Sequence, residues 1–357
     1  MEQRRPRNRQ AQVRHNGKNT KEMITLLGLS LNELQDLCLQ EGFPKFTAKQ
    51  LCDWIYIKHV RDFDAMTNLS LKTRARLKEI ATPGLFAPIE GHCSVDGTKK
   101  YLFASGDSYI ESVYIPADDR GTLCVSCQRG CKMGCRFCVT GQQGFHGSLT
   151  AGEILNQIFS VPENEAITNV VFMGMGEPLD NFEAVKRAIE VMTSEWGPAW
   201  SPHRITVSTV GITPVLCRLL DECQCHVAVS LHNAFANERM AMMPMQKAYP
   251  IADIVALLKR YNWYGQRRIS FEYTMFRGVN DDLNHAAEIV KLLKGLKCRV
   301  NLIRFHASPD VPYKTSDERT MTAFRDYLDS HGVTCTIRAS RGEDIMAACG
   351  LLAGKKQ

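Results

Sequence analysis

The chain has 357 residues, of which 44% are hydrophobic and 23% charged. This excludes a disordered or fibrous protein and gives a prior of roughly two domains. No stretch approaches the roughly 20 apolar residues of a membrane span. The formal net charge is +6, and it is unevenly placed, because residues 1–22 hold five Arg and two Lys against Glu2 and Glu22.

That basic arm has no apolar run behind its cations, so no secretory signal is expected and the chain is assigned to the cytoplasm. Tethered cations release counterions from phosphate, which suits a polyanion partner, and a solubilising tail explains the same residues. After the arm, Ser30 to Glu33 and Thr47 to Gln50 fit the S/T-x-x-E/Q capping box. They predict helices over SLNELQDLCLQE and TAKQLCDWIYIKHV, and a third helix, SLKTRARLKEIA, begins near Ser70. Residues 23–82 thus form a helical accessory domain in which Lys72, Arg74, Arg76 and Lys78 can touch a phosphate backbone. Residues 83–116 combine a Pro/Gly linker, through residue 98, with a hairpin of KKYLFAS and SYIESVYIP around Gly106-Asp107.

GTLCVSC then reads as a strand running into a cluster of cysteines, Cys124, Cys127, Cys131, Cys135 and Cys138, among fourteen in the chain. With no export signal, reduced thiols with a metal or catalytic role are expected. From Thr150 onward, helices such as TAGEILNQIFS alternate with apolar strands such as TNVVFMG, RITVST, CHVAVSLH, RRISFEYTM and CRVNLIRF. About six βα units predict an α/β core over residues 117–345, an open or partial barrel, with an open doubly wound sheet as the alternative. Residues 346–357 form a C-terminal segment.

Cys131-x3-Cys135-x2-Cys138 follows a strand. Three thiolates so placed can hold three irons of a four-iron cluster and leave the fourth open. An open iron can chelate an amino-carboxylate such as that of S-adenosylmethionine (SAM) and pass an electron to its sulfonium. Two CxxC pairs, Cys124/Cys127 and Cys135/Cys138, offer structural zinc as a rival. In a strand, however, a spacing of three sends Cys124 and Cys127 to opposite faces. Unliganded thiols are the third reading. The other candidates end successive strands: Gly174 to Pro178, Ser208 with Thr209, Ser230 to Asn233, and His306. In a barrel, strand C-terminal ends share one face, so these residues are expected in one pocket.

The C-x3-C-x2-C motif is similar to the radical SAM signature. More closely, TLCVSCQRGCKMGCRFCVTGQQGFHGSLTAGEI, FMGMGEPLDN, VSLHN and RGEDIMAACGLLAG resemble the RlmN/Cfr family of radical SAM RNA adenine methyltransferases, from the helical block through Cys349. The resemblance implies a partial (β/α)6 radical SAM barrel with a small N-terminal helical domain. It implies one [4Fe-4S] cluster on Cys131, Cys135 and Cys138, and two SAM molecules per turnover. One SAM methylates Cys349. The second is cleaved to a 5′-deoxyadenosyl radical that takes hydrogen from the S-methyl group, and the carbon radical adds to the base. Cys124 then releases product from the covalent RNA–protein intermediate with a transient disulfide, and Glu111 matches the acid/base carboxylate. The implied SAM contacts are Gly176, Glu177, Ser208, Ser230, Leu231, His232 and His306; the last stands after LIRF, where the family usually has Asn.

Pro178 falls on the side of the C2-modifying branch, since the C8 branch usually has GMGEA. The function so implied is methylation of adenosine C2 in 23S rRNA at the peptidyl-transferase centre and in tRNA beside the anticodon, with a reductant such as flavodoxin. The alternatives are a C8-specific enzyme and a non-catalytic zinc RNA-binding module. Nothing in the sequence specifies an oligomer.

Overall fold

In a computed structural model describing residues 23–307 and 311–354, the chain opens with a two-residue strand, β1 (Ile24–Thr25). Three helices follow, α1 (Leu31–Gln40), α2 (Thr47–Cys52) and α3 (Leu71–Ile80), and β2 (Ala81–Thr82) returns parallel to β1. Ser30 and Glu33 close the expected capping box on α1. Thr47 does not cap α2: it is the first helical residue and is buried, Phe46 holds the cap position without a side-chain bond, and the helix relaxes into a π turn over Asp53–Ile57. Tyr56 ties the unit together, donating its hydroxyl to the Leu29 carbonyl at 2.5 Å. Its ring packs edge-on against Trp196 of the core. Three of the four cations read as RNA-facing are engaged within this domain. Arg76 pairs with Glu41 and Glu79, Lys78 pairs with Asp64, and Arg74 donates to the Asp64 carbonyl.

The stretch read as linker contains a strand, β3 (Glu90–Cys93), that pairs antiparallel with β4 (Lys99–Ser105). EGHC has little apolar character, so its partner specifies the strand and its composition does not. β4 and β5 (Ser108–Ala117) make the expected hairpin, with Gly106 in the left-handed region at its two-residue turn. β6 (Arg120–Cys124) completes a four-stranded meander and stops at Cys124, earlier than GTLCVSC implies. A further hairpin, β7 (Gln128–Gly130) with β8 (Phe145–Ser148), brackets the cysteine loop and the short helix α4 (Val139–Gln142).

The repeating core then runs α5 (Ala151–Phe159), β9 (Asn169–Phe172), α6 (Phe182–Thr193), β10 (Ile205–Thr209), α7 (Thr213–Glu222), β11 (His226–Ser230) and α8 (Ala236–Met242). It continues through α9 (Ile251–Leu258), β12 (Ile269–Met275), α10 (Leu283–Leu293), β13 (Arg299–Arg304), α11 (Glu318–Ser330) and β14 (Thr334–Ile337). One ten-stranded sheet has the order β14-β13-β12-β11-β10-β9-β6-β5-β4-β3. The strands from β14 to β6 are parallel, joined by six helical crossovers, which is the expected (β/α)6 partial barrel. The helices bury one amphipathic face each; α6, for example, turns Phe182, Val185, Ala188, Ile189 and Met192 inward. The sheet does not close on itself, so its first and last strands remain edges.

Candidate active site

Cys131, Cys135 and Cys138 lie between β7 and α4, beyond the C-terminal end of β6, and line one cavity. The loop is tightly wound: the Cys131 amide donates to the Gly144 carbonyl at 2.8 Å, and a Cβ on Gly141 would sit 3.0 Å from the Cys135 carbonyl oxygen. Burial pushes all three thiols upward, Cys131 to about 12. Cationic irons are what such a set requires in order to hold thiolates. Cys124 instead has Cys349 and Arg338 as neighbours, and Cys127 is buried near Glu177 and Cys131. Among the described residues, no three His, Cys, Asp or Glu side chains group closely enough to hold a single ion. Cys124 and Cys127 are not on the wall that Cys131, Cys135 and Cys138 share, and three thiols facing one cavity fit a multi-iron cluster.

The opposite wall comes from strand ends. Gly174, Gly176, Glu177, Ser208, Ser230 and His232 all line the cavity, together with Thr209, Glu272 and Thr274. Gly176 has φ +100°, and a Cβ there would lie 2.5 Å from that of Gln128, so only glycine suits the position. The Glu177 carboxylate accepts from Thr209 Oγ1 at 2.5 Å, the Leu179 amide at 3.1 Å and the Val210 amide at 2.9 Å. Burial still raises its pKa to about 7. His232 is strained, at φ +52°, and accepts the Thr274 amide at Nδ1, so Nε2 carries the proton. Burial holds its pKa down near 3, which keeps the ring neutral.

Sequence reading missed the residue that shapes this turn. Arg239, fully buried on α8, donates to the carbonyls of Ser230 (2.8 Å) and Leu231 (3.0 Å) and to Gln246 Oε1 (2.5 Å). A lone Arg in ANERMAM looks like a solvated helix face; only the fold reveals its burial.

Leu231 is buried and does not line the cavity; its amide donates to the Glu272 carbonyl at 2.9 Å. His306 is also absent from that wall, which Ile303 and Phe305 supply. It lies in a neighbouring cleft, with Nε2 3.0 Å from Ser340 Oγ and Nδ1 3.1 Å from Glu343 Oε1.

Cys349 lines both the cavity and the cleft. Its segment is laid across the cysteine loop: the Val139 amide donates to the Gly350 carbonyl at 2.8 Å, and Thr140 Oγ1 to the Leu352 carbonyl at 2.7 Å. The amides of Ala353 and Gly354 then donate to Glu111 Oε2 at 2.7 and 3.0 Å, while Lys100 Nζ lies 3.2 Å from Glu111 Oε1. Val113 pairs with both Lys100 and Cys124, and Glu111 is two residues earlier, so Lys100, Glu111 and Cys124 share one sheet face. Burial, with Cys349 nearby, pushes the Cys124 thiol up to about 12; Arg338 acts in the opposite direction.

Residues 24–82 match the ribosomal RNA large subunit methyltransferase N-terminal domain, and residues 125–293 match the radical SAM superfamily. A probable dual-specificity RNA methyltransferase RlmN of Phocaeicola vulgatus is 56% identical over 93% of this chain and 95% of its own length. The dual-specificity RNA methyltransferase RlmN of Syntrophus aciditrophicus is 42% identical over 93% of this chain and 97% of its own. The crystal structure of a radical SAM methyltransferase from Sphaerobacter thermophilus superposes with a TM-score of 0.88 at 39% identity, covering 93% of this chain and 100% of that one. With both family models matched and relatives alike over nearly their whole length, the chain belongs to the RlmN family of the radical SAM superfamily.

Proposed function

We propose that this chain methylates C2 of an adenosine in 23S rRNA and of the adenosine beside the anticodon in tRNA, with Cys349 as methyl carrier and Cys124 as resolving thiol. The observation that carries this reading is the position of Cys349, on the wall of the cavity that the three cluster cysteines share. When bound, the cluster supplies an electron to SAM, and SAM supplies both the methyl group and a hydrogen-abstracting carbon radical. Cys131, Cys135 and Cys138 would hold the cluster, Gly176 and Glu177 would lie toward the SAM amino group, and Ser208, Ser230 and neutral His232 would offer hydrogen bonds to the rest of the molecule. A reductant of the flavodoxin type is the proposed electron source.

Burial pushes the Cys124 thiol up to about 12, so its attack on the Cys349 sulfur needs a group to take its proton. Glu111 is the proposed acceptor of the C2 proton. The amides of Ala353 and Gly354 on Oε2 and Lys100 beside Oε1 hold its carboxylate in position.

The relatives' dual-specificity names support two RNA substrates, and Pro178, which opens a 3-10 turn after Glu177, supports C2 over C8. The test is mass spectrometry of nucleosides from 23S rRNA and tRNA after anaerobic reaction. The expected product in both is 2-methyladenosine; 8-methyladenosine would overturn the regiochemistry, and unmodified adenosine the function.

A further inference from the structure

We propose that the cleft on the far side of Cys349 binds the phosphodiester backbone of the RNA strand beside the base being modified. The proposal rests on the RNA methyltransferase reading and adds to it the surface that seats the strand. Arg120, Arg304, Arg338 and Arg341 line this cleft together with His306. They come from separate elements: the turn into β6, the end of β13 and the segment after β14.

Their partners divide them into two groups. Arg304 pairs with Glu318 and Arg338 with Glu272, while His306 faces Glu343. Arg120 and Arg341 make no ion pair or side-chain hydrogen bond among the described residues. The acidic groups nearest in sequence to Arg120 are Asp118 and Asp119, exposed on the same turn and absent from the cleft wall.

The bland alternative is two solvated surface arginines. Their placement argues against it, since both border one concave cleft that also holds two further guanidinium groups. An arginine fork matches two phosphate oxygens, so several forks lining one cleft suit a chain of phosphodiesters. The rest of the lining mixes apolar Ile115, Pro116, Ala339, Ala347 and Ala348 with the hydroxyls of Thr122 and Ser340, a surface for ribose and base edges. Cys349 is part of the same lining. A strand held here presents a base to the sulfur that also faces the cofactor cavity, so both halves of the reaction meet at one atom.

The test uses the intact, cluster-loaded protein and a fluorescein-labelled fragment of 23S rRNA. The double variant R120Q/R341Q removes the two unpaired cations, and R218Q/R325Q removes two from exposed positions on α7 and α11 as a charge-matched control. At a slope of about 0.7 per single-strand phosphate contact, R120Q/R341Q should flatten the dependence of log Kd on log salt by about 1.4. It should weaken binding roughly tenfold at about 0.15 M salt, with KM for RNA rising in parallel. R120K/R341K should recover most of the slope. Methylation of Cys349, which needs no RNA, should be unchanged and reports an intact fold and cofactor site. Should the double variant lose it, R120Q alone carries the test, with a slope change of about 0.7.

An unaltered slope and KM, or equal flattening in the control, overturns the cleft assignment while leaving the enzyme reading intact. A wild-type protein that methylates Cys349 but no RNA overturns the enzyme reading itself.

Discussion

His232 joins backbone strain, burial and proton state in one side chain. Its pKa is held near 3 by burial, with Arg239 as the lesser cause, against about 6.5 in an unfolded chain. The unfolded state therefore binds the extra proton first. His232's share of stability is complete above about pH 6.5, declines as pH falls, and is gone below about 3. Between pH 7 and pH 5 that loss amounts to about 2 kcal/mol, at 1.36 kcal/mol per unit. His232→Asn offers Oδ1 where Nδ1 accepts the Thr274 amide, and Asn tolerates positive φ. The expected result is a smaller difference in anaerobic Tm between pH 7 and pH 5 for the variant than for the wild type. Equal differences would mean that the ring is protonated inside the fold. The position was legible in VSLHN, yet its neutrality was not, because Arg239 and the covering Phe137 ring, 4.7 Å away, arrive from elsewhere in the chain.

Among the elements, what could be read from sequence and what could not divide along a physical line. α5 was legible because Thr150 and Glu153 satisfy one another's backbone neighbours locally, and the capping box forms as written. The β4–β5 hairpin was legible for the same reason, with Gly106 fixing the turn. β3, the β7–β8 hairpin and the placement of His306 depend on partners distant in the chain, and local composition carries no trace of them. The C-terminal strap is the strongest such case. Nothing in AACGLLAG shows that Gly350 and Leu352 will accept hydrogen bonds from Val139 and Thr140, the residues directly after Cys138. Thr140→Val removes one of those bonds and keeps the shape, a loss of about 1 kcal/mol. If the strap sets the position of Cys349, its methylation rate should fall about fivefold, as followed by mass spectrometry of the Cys349 peptide and normalised to iron content, because Thr140 also hydrogen-bonds Cys138. A wild-type rate would show that the backbone bond from Val139 suffices.

At the scale of the whole molecule, the open sheet and the strap answer one another. A parallel sheet that stops at β14 leaves the barrel's mouth unfinished on the side of β3 to β6. The C-terminal segment runs back across it: the Gly342 amide donates to Asp96, Asp344 takes the Ser94 hydroxyl, and Ala353 and Gly354 end on Glu111. This return is what brings Cys349 beside Cys124 of β6, and it assigns the two thiols different failures. Cys349→Ala should give neither methylated RNA nor any covalent adduct, because the carrier atom is missing. Cys124→Ala should still accept a methyl group on Cys349 and still add it to the base, and then stall as an RNA–protein crosslink. That species should survive denaturing gels, shrink under ribonuclease to protein that keeps the crosslinked nucleotide, and vanish in the variant lacking both thiols. A crosslink that persisted without Cys349 would place the attachment on another residue, and normal turnover in either single variant would reject the relay. The outcome depends on the strap as well as on the sulfurs. Glu111→Gln weakens the tail's last anchor and leaves Lys100 buried without its charge partner. Combined with Cys124→Ala, it should therefore lower the crosslink yield, by disturbing the tail and by removing the proposed proton acceptor, although Cys349 and the cluster thiols are still in place.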